Sequence, residues 1–182
     1  FTSSIAQRGT THIALDSKRL CLNLFAEIFA GESLNQQEIE AFISYNDALL
    51  SLSKQLPSFR RGQKALGILQ ECMRSRLERF RQGKIDGACF KIFSDNLDED
   101  NQPWSSERIA TATVLMVWGA YIEVAALMSS CLILCKKNPL VRDRILNEAF
   151  ENQLGDRDTS GSLSDWDLPY AEGVLRESLR LL

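Results

Sequence analysis

Apolar residues recur along this chain at helical spacing, separated by short polar stretches. From about Ala14 they fall at Leu20, Cys21, Leu24, Phe25, Ile28 and Phe29, which predicts a helix with one buried stripe. Gly31 follows as a residue able to take the left-handed conformation that closes a helix. Asn35 starts a second helix, with Glu38 placed to complete a capping box. Its stripe is Ile39, Phe42, Ile43, Leu49 and Leu50, and it ends before Pro57. A third helix is predicted from Arg60 to Gln82, with Leu66, Leu69, Met73, Leu77 and Phe80 on one face. The other face carries Arg60, Arg61, Lys64, Arg74, Arg76, Arg79 and Arg81. Such a face could meet an acidic partner or a membrane surface. With Glu71 and Glu78 interspersed, it reads as a solvated face.

A polar connection over 83–103 holds Gly83, Gly87, a short helix over Cys89 to Phe93 and the acidic run Asp95 to Asp100. The run lacks the glycine and spaced carboxylates of a calcium loop. The dominant element follows, from Ser105 to about Lys137, almost wholly apolar between Val114 and Cys135. As one helix at ~1.5 Å rise per residue it would cross a small domain. A helix apolar on nearly all sides has to be surrounded by protein or by lipid. It is long enough to span a bilayer, but Glu123 would cost about 2.5–3.5 kcal/mol at the bilayer centre. Gly119, Ser129 and Ser130 dilute its hydrophobicity, and the amphipathic neighbours offer protein cover. The expectation is a central helix in an all-α protein. Asn138-Pro139 breaks it and starts another helix through Val141, Ile145, Ala149 and Phe150 to about Gly155. A polar loop is predicted from Asp156 to Asp167. Pro169 then opens a last helix with Leu168, Ala171, Val174, Leu175, Ser178, Leu179 and Leu182 on its apolar side.

Composition narrows this further. A chain of 182 residues, 45% hydrophobic and 25% charged, suits a single helical domain over 1–182. Its net charge of −3 gives no pull toward nucleic acid. The five cysteines, Cys21, Cys72, Cys89, Cys131 and Cys135, form no Cys-x-x-Cys pair. Cys131 and Cys135 share a helix face, but a single histidine leaves few further soft ligands. They read as buried small hydrophobes rather than a metal site, and their spacing fits a reducing compartment. Localisation stays open between cytoplasmic and membrane-associated. No signal peptide is evident. The first residue is Phe1, and Glu177 to Leu182 reads as the inside of a helix, so both ends are expected to be cut.

Glu177 and Arg180 are three apart on the last helix and point to one side. A bare Glu-x-x-Arg means little, but the string Leu168-Pro169-Tyr170-Ala171-Glu172-Gly173-Val174-Leu175-Arg176-Glu177-Ser178-Leu179-Arg180-Leu181-Leu182 closely resembles helix K of the haem-thiolate monooxygenases, the cytochrome P-450 superfamily. The long helix followed by Lys137-Asn138-Pro139 resembles helix I, and the next helix resembles helix J. Leu56-Pro57-Ser58-Phe59-Arg60-Arg61-Gly62-Gln63-Lys64-Ala65 is similar to the turn between helices F and G in the branch with retinoid and sterol hydroxylases. Asp16 to Gly31 resembles helix E.

The resemblance covers almost the whole chain but only the middle of a complete family member. It implies the central helical part of that fold, wrapped around one long helix. It also implies haem as cofactor, a lipophilic small molecule as substrate and an electron-donor protein as partner, with no nucleic acid. Two departures bear on function. The family's ligand loop, Phe-x-x-Gly-x-Arg-x-Cys-x-Gly, contains none of the five cysteines, so the remainder of the haem domain or a second chain must bring it. The family's helix I pattern, small-Gly-x-acid-Thr, falls on Gly119-Ala120-Tyr121-Ile122-Glu123 when counted back from Asn138-Pro139; slid by one, Glu123 becomes the acid and Val124 follows. Neither register supplies the threonine. By resemblance, Gly119, Ala120, Glu123 and Val124 form the wall of the haem pocket. Glu123 is the candidate proton-handling group, since burial raises a carboxyl pKa; it could equally be a bonded structural acid. Glu177 and Arg180 are a structural pair.

Two readings follow. One is a section of an oxidoreductase that hydroxylates a lipophilic substrate, or rearranges one without external oxygen if the missing threonine is decisive, and that is not competent alone. The other is a non-catalytic derivative kept as a structural or interaction subunit of a larger assembly. An unrelated helical bundle is set aside by the helix K string.

Overall fold

The computed structural model describes residues 12–51, 53–154 and 168–181. They form seven helices and no strand: α1 Ile13–Ala30, α2 Gln36–Leu49, α3 Pro57–Arg81, α4 Ala88–Ser94, α5 Ser106–Lys137, α6 Pro139–Leu154 and α7 Pro169–Leu181. The all-α expectation holds, and the predicted boundaries lie close to the observed ones. Gly31 closes α1 at φ 77°, its N–H donating to the Glu27 carbonyl. Asn35 and Glu38 form the reciprocal capping box. The loop predicted over Asp156 to Asp167 lies outside the described residues.

α3 starts at Pro57 rather than Arg60, because proline at the first helical position loses no intrahelical hydrogen bond. α2 and α3 pack closely, as do α1 and α5, and α3 also lies along α5. The core forms where these four helices meet: Leu22, Phe42, Leu69, Met73, Leu77, Val114, Val117 and Tyr121 are fully enclosed. The Phe42 and Tyr121 rings meet edge to face at 6.3 Å, and Tyr45 meets Trp118 likewise at 6.4 Å. The Trp118 indole N–H donates to Asn46 Oδ1 at 3.3 Å, joining α5 to α2.

Three expectations need correcting. The buried stripe of α1 runs through Cys21, Leu22, Ala26 and Ala30, while Leu24 and Ile28 are exposed. Small alanines let α1 approach α5 closely, so the stripe follows fit rather than hydrophobicity. Leu49 and Leu50 are also exposed, lying beyond the last turn of α2 that meets α3. Arg76, assigned above to a solvated basic face, is buried. It donates to the carbonyls of Glu32 (3.2 Å) and Ser33 (2.9 Å) and to Glu38 Oε2 (2.9 Å). Glu38 thus caps α2 and holds α3 at once.

α5 is not surrounded. Ile109, Ala110, Thr113, Val114, Val117, Tyr121 and Ala125 are buried, and beyond Ala125 no residue of the helix is. Leu115, Met116, Val124, Leu132 and Ile133 are exposed. Among the described residues α5 is the one helix long and apolar enough to cross a membrane, a test that core helices also pass.

Candidate functional site

α5 carries the site. Its start is set by Ser105, whose Oγ accepts the Arg108 N–H at 3.2 Å. One face is held by the bundle through Thr113, Val117, Trp118 and Tyr121. The opposite face carries Leu115, Met116, Gly119 and Glu123, which recur at helical spacing and so line up along the helix. A side chain added at Gly119 would meet nothing within 4 Å, and Ala120 next to it is half-buried. Glu123 and Val124, one turn further on, are exposed.

Glu123 is exposed, and the described helices do not bury it. Tyr121, on the covered side, is enclosed with its hydroxyl unpartnered; burial, reinforced by Asp47, pushes its pKa up to about 12. Its ring packs edge to face on Phe42 in the core.

On α7, Arg180 Nε donates to Glu177 Oε2 at 2.8 Å. Their hydrogen bond lowers the Glu177 pKa below the ordinary carboxylate range and raises that of Arg180. The side chains are 54% and 68% exposed. Two residues that the sequence reading passed over position this helix. Glu148 on α6 accepts the N–H groups of Tyr170 (2.7 Å) and Ala171 (2.8 Å), covering donors that the first turn of α7 leaves open. The Arg144 guanidinium lies 4.2 Å from the centre of the Tyr170 ring. Both are one turn apart on α6, the only signal that could have suggested a shared target.

The cysteines are scattered. Cys21 and Cys89 are buried and the other three partly so. Burial and a hydrogen bond to Glu38 push the Cys72 thiol up to about 12, and burial pushes Cys89 up to about 11.

At Gly119 the α5 backbone is open to close approach by another group. Together with the helix order and the paired Glu-x-x-Arg helix, this arrangement defines the helical section of a haem-thiolate protein. The chain belongs to the cytochrome P450 family, whose model matches residues 14–182. Members of that family bind haem and its iron, act as oxidoreductases of the monooxygenase type, and typically work on small molecules with redox-partner proteins. Among its relatives, cytochrome P450 120 of Synechocystis sp. (strain ATCC 27184 / PCC 6803 / Kazusa) is 26% identical over 170 residues, covering 91% of this chain and 38% of the relative. The solved structure of retinoic acid-bound cyanobacterial CYP120A1 superimposes with a TM-score of 0.77 at 25% identity, covering 100% of this chain and 42% of that one. The chain thus spans about two fifths of the length of the relatives it matches.

Proposed function

We propose that this chain is the central helical section of a haem-thiolate oxidoreductase acting on a lipophilic small molecule, and that it is not competent by itself. The observation that carries this reading is the bare face of α5 around Gly119, on a helix otherwise anchored in a packed bundle. The rest of the haem domain would cover that face and bring the cysteine ligand, and an electron-donor protein would supply the reducing equivalents. The relative with retinoic acid bound supports a lipophilic substrate.

On this reading Gly119 and Ala120 form the flat wall against the cofactor. Val124 and the exposed Leu115 and Met116 line the dry side of the pocket and exclude water from it. Bound haem supplies the oxygen-activating redox chemistry, which the protein orients and shields. The Glu123 carboxylate, in the position next to that wall, holds a proton on one oxygen and passes it inward. A carboxylate can do this without the threonine that the family pattern places beside it. Glu177 and Arg180 hold the C-terminal part of α7 in register for the segment that would follow.

The test uses the full-length protein. Reduced with dithionite and exposed to carbon monoxide, it is expected to show the red-shifted Soret band of a thiolate-ligated ferrous haem. A folded full-length protein that takes up no haem, or takes it up without that band, overturns the proposal.

A further inference from the structure

Sulfur atoms cluster toward the end of α5. Met128, Cys131 and Cys135 follow one another at three- and four-residue spacing on this unbroken helix, so they stand on one face, a turn apart. Neighbours at this spacing hold their Cβ atoms about 5–6 Å apart. Beyond Ala125 no residue of α5 is buried. Unlike the buried Cys21 and Cys89, both thiols here are partly exposed, and neither is in a disulfide. Burial, and then the neighbouring Cys131, push the Cys135 thiol above its ordinary pKa, so the two sulfurs are close enough to interact.

The donor set is chemically narrow. It offers two thiols and one thioether, while the single histidine, His12, lies before α1. Among the described residues no three His, Cys, Asp or Glu side chains gather around one point. Zinc, which takes four ligands at a structural site, and the oxygen-seeking calcium and magnesium are therefore not served. Thiolate and thioether sulfur together suit the soft ion Cu(I). At metal–sulfur bonds of about 2.3 Å a linear S–Cu–S unit spans ~4.6 Å, which two cysteines one helical turn apart can bracket without unwinding the helix.

We propose that Cys131 and Cys135 bind one Cu(I) ion, with the Met128 thioether as a third donor. Each thiol gives up its proton, so one Cu(I) and two thiols yield a singly negative bis-thiolate complex and two protons, with no electron transferred. Lys136 and Lys137 follow directly and are exposed, and among the described residues neither is in an ion pair. They offset the negative charge of the complex. The unbranched Met128 side chain, with three rotatable bonds, adapts its sulfur to the metal.

The experiment titrates the reduced full-length protein, without oxygen, with Cu(I) in competition with the cuprous chelator bathocuproine disulfonate. One ion retained per chain, with only sulfur neighbours in the X-ray absorption spectrum at the copper edge, is the expected result. Affinity should rise with pH, because the metal displaces protons. Cys131→Ser and Cys135→Ser should each lower it about 100-fold or more. Met128→Leu, which keeps the side-chain volume, should lower it by a smaller factor. Cys72→Ser, on another helix, should leave it unchanged. Circular dichroism checks that each variant keeps its fold. No retention by the parent protein, or equal retention by the variant carrying both Cys131→Ser and Cys135→Ser, overturns the proposal. Nitrogen or oxygen neighbours in the copper spectrum overturn it too. An unchanged affinity in Met128→Leu overturns the three-sulfur assignment.

Discussion

Glu123 stands out among the residues of α5 because it is a carboxylate on a face of small and apolar side chains, directed away from the bundle. If it passes protons in the complete protein, Glu123→Gln, which keeps shape and removes the titrating group, should lower turnover roughly 10²-fold. The spectral shift on substrate binding should be unchanged. Equal loss of both would assign Glu123 to packing instead. Arg180 makes a second residue-scale case. The Glu177 pKa is depressed in the folded chain, so the unfolded chain takes up that proton first as pH falls. The pair's contribution is complete above the usual carboxylate range and is lost as pH drops through the depressed folded value. Arg180→Ala should return the Glu177 titration, followed by carboxyl NMR, to the ordinary range while the fold persists, since both side chains are exposed. An unmoved titration would show that the bond does not persist in solution.

Between elements, the closest approach is at Gly62. A Cβ there would stand 2.0 Å from the Ala48 Cβ, so α2 and α3 would have to separate. Gly62→Ala should destabilise the protein by about 1–3 kcal/mol, seen as a lower Tm. Adding Ala48→Gly, which moves the methyl group from one helix to the other, should recover part of that loss. A Gly62→Ala protein as stable as the parent would mean that the crossing is looser than described. The same helix pair shows why burial was misjudged at Arg76. Its position on α3 places it opposite the α1–α2 connection, where two carbonyls and Glu38 converge. Arginine at helical spacing among other cations looks solvent-facing in sequence; only the packing of a second helix supplies the partners that make burial tolerable.

For the molecule as a whole, the order of helices and the capping signals were legible, and so was the family. Asn35 with Glu38, Gly31 and Ser105 are local devices whose effect depends on a few neighbouring residues. The state of α5 was not legible, because an apolar run records that cover is needed, not which helices provide it. Here the bundle covers one face and leaves the Gly119 face bare. Mixed with haem, residues 1–182 should give no thiolate-type spectrum. None of the five cysteines lies in the family's ligand loop, and Cys72 and Cys89 are held as thiols well above neutral pH. A thiolate spectrum from this chain would refute the division of labour proposed here.

The sequence by itself determined that the chain is helical, roughly where each helix lies, and which family's helix order it follows, because these depend on spacing, caps and short motifs. The tertiary structure alone decided that Leu22, Ala26 and Ala30 rather than Leu24 and Ile28 line the buried face of α1, that Arg76 is buried, and that Glu148 caps α7. It also decided that Glu123, Glu177 and Arg180 are exposed in this chain. Exposure and pairing depend on what a second helix places opposite, and that geometry is absent from any single stretch of sequence.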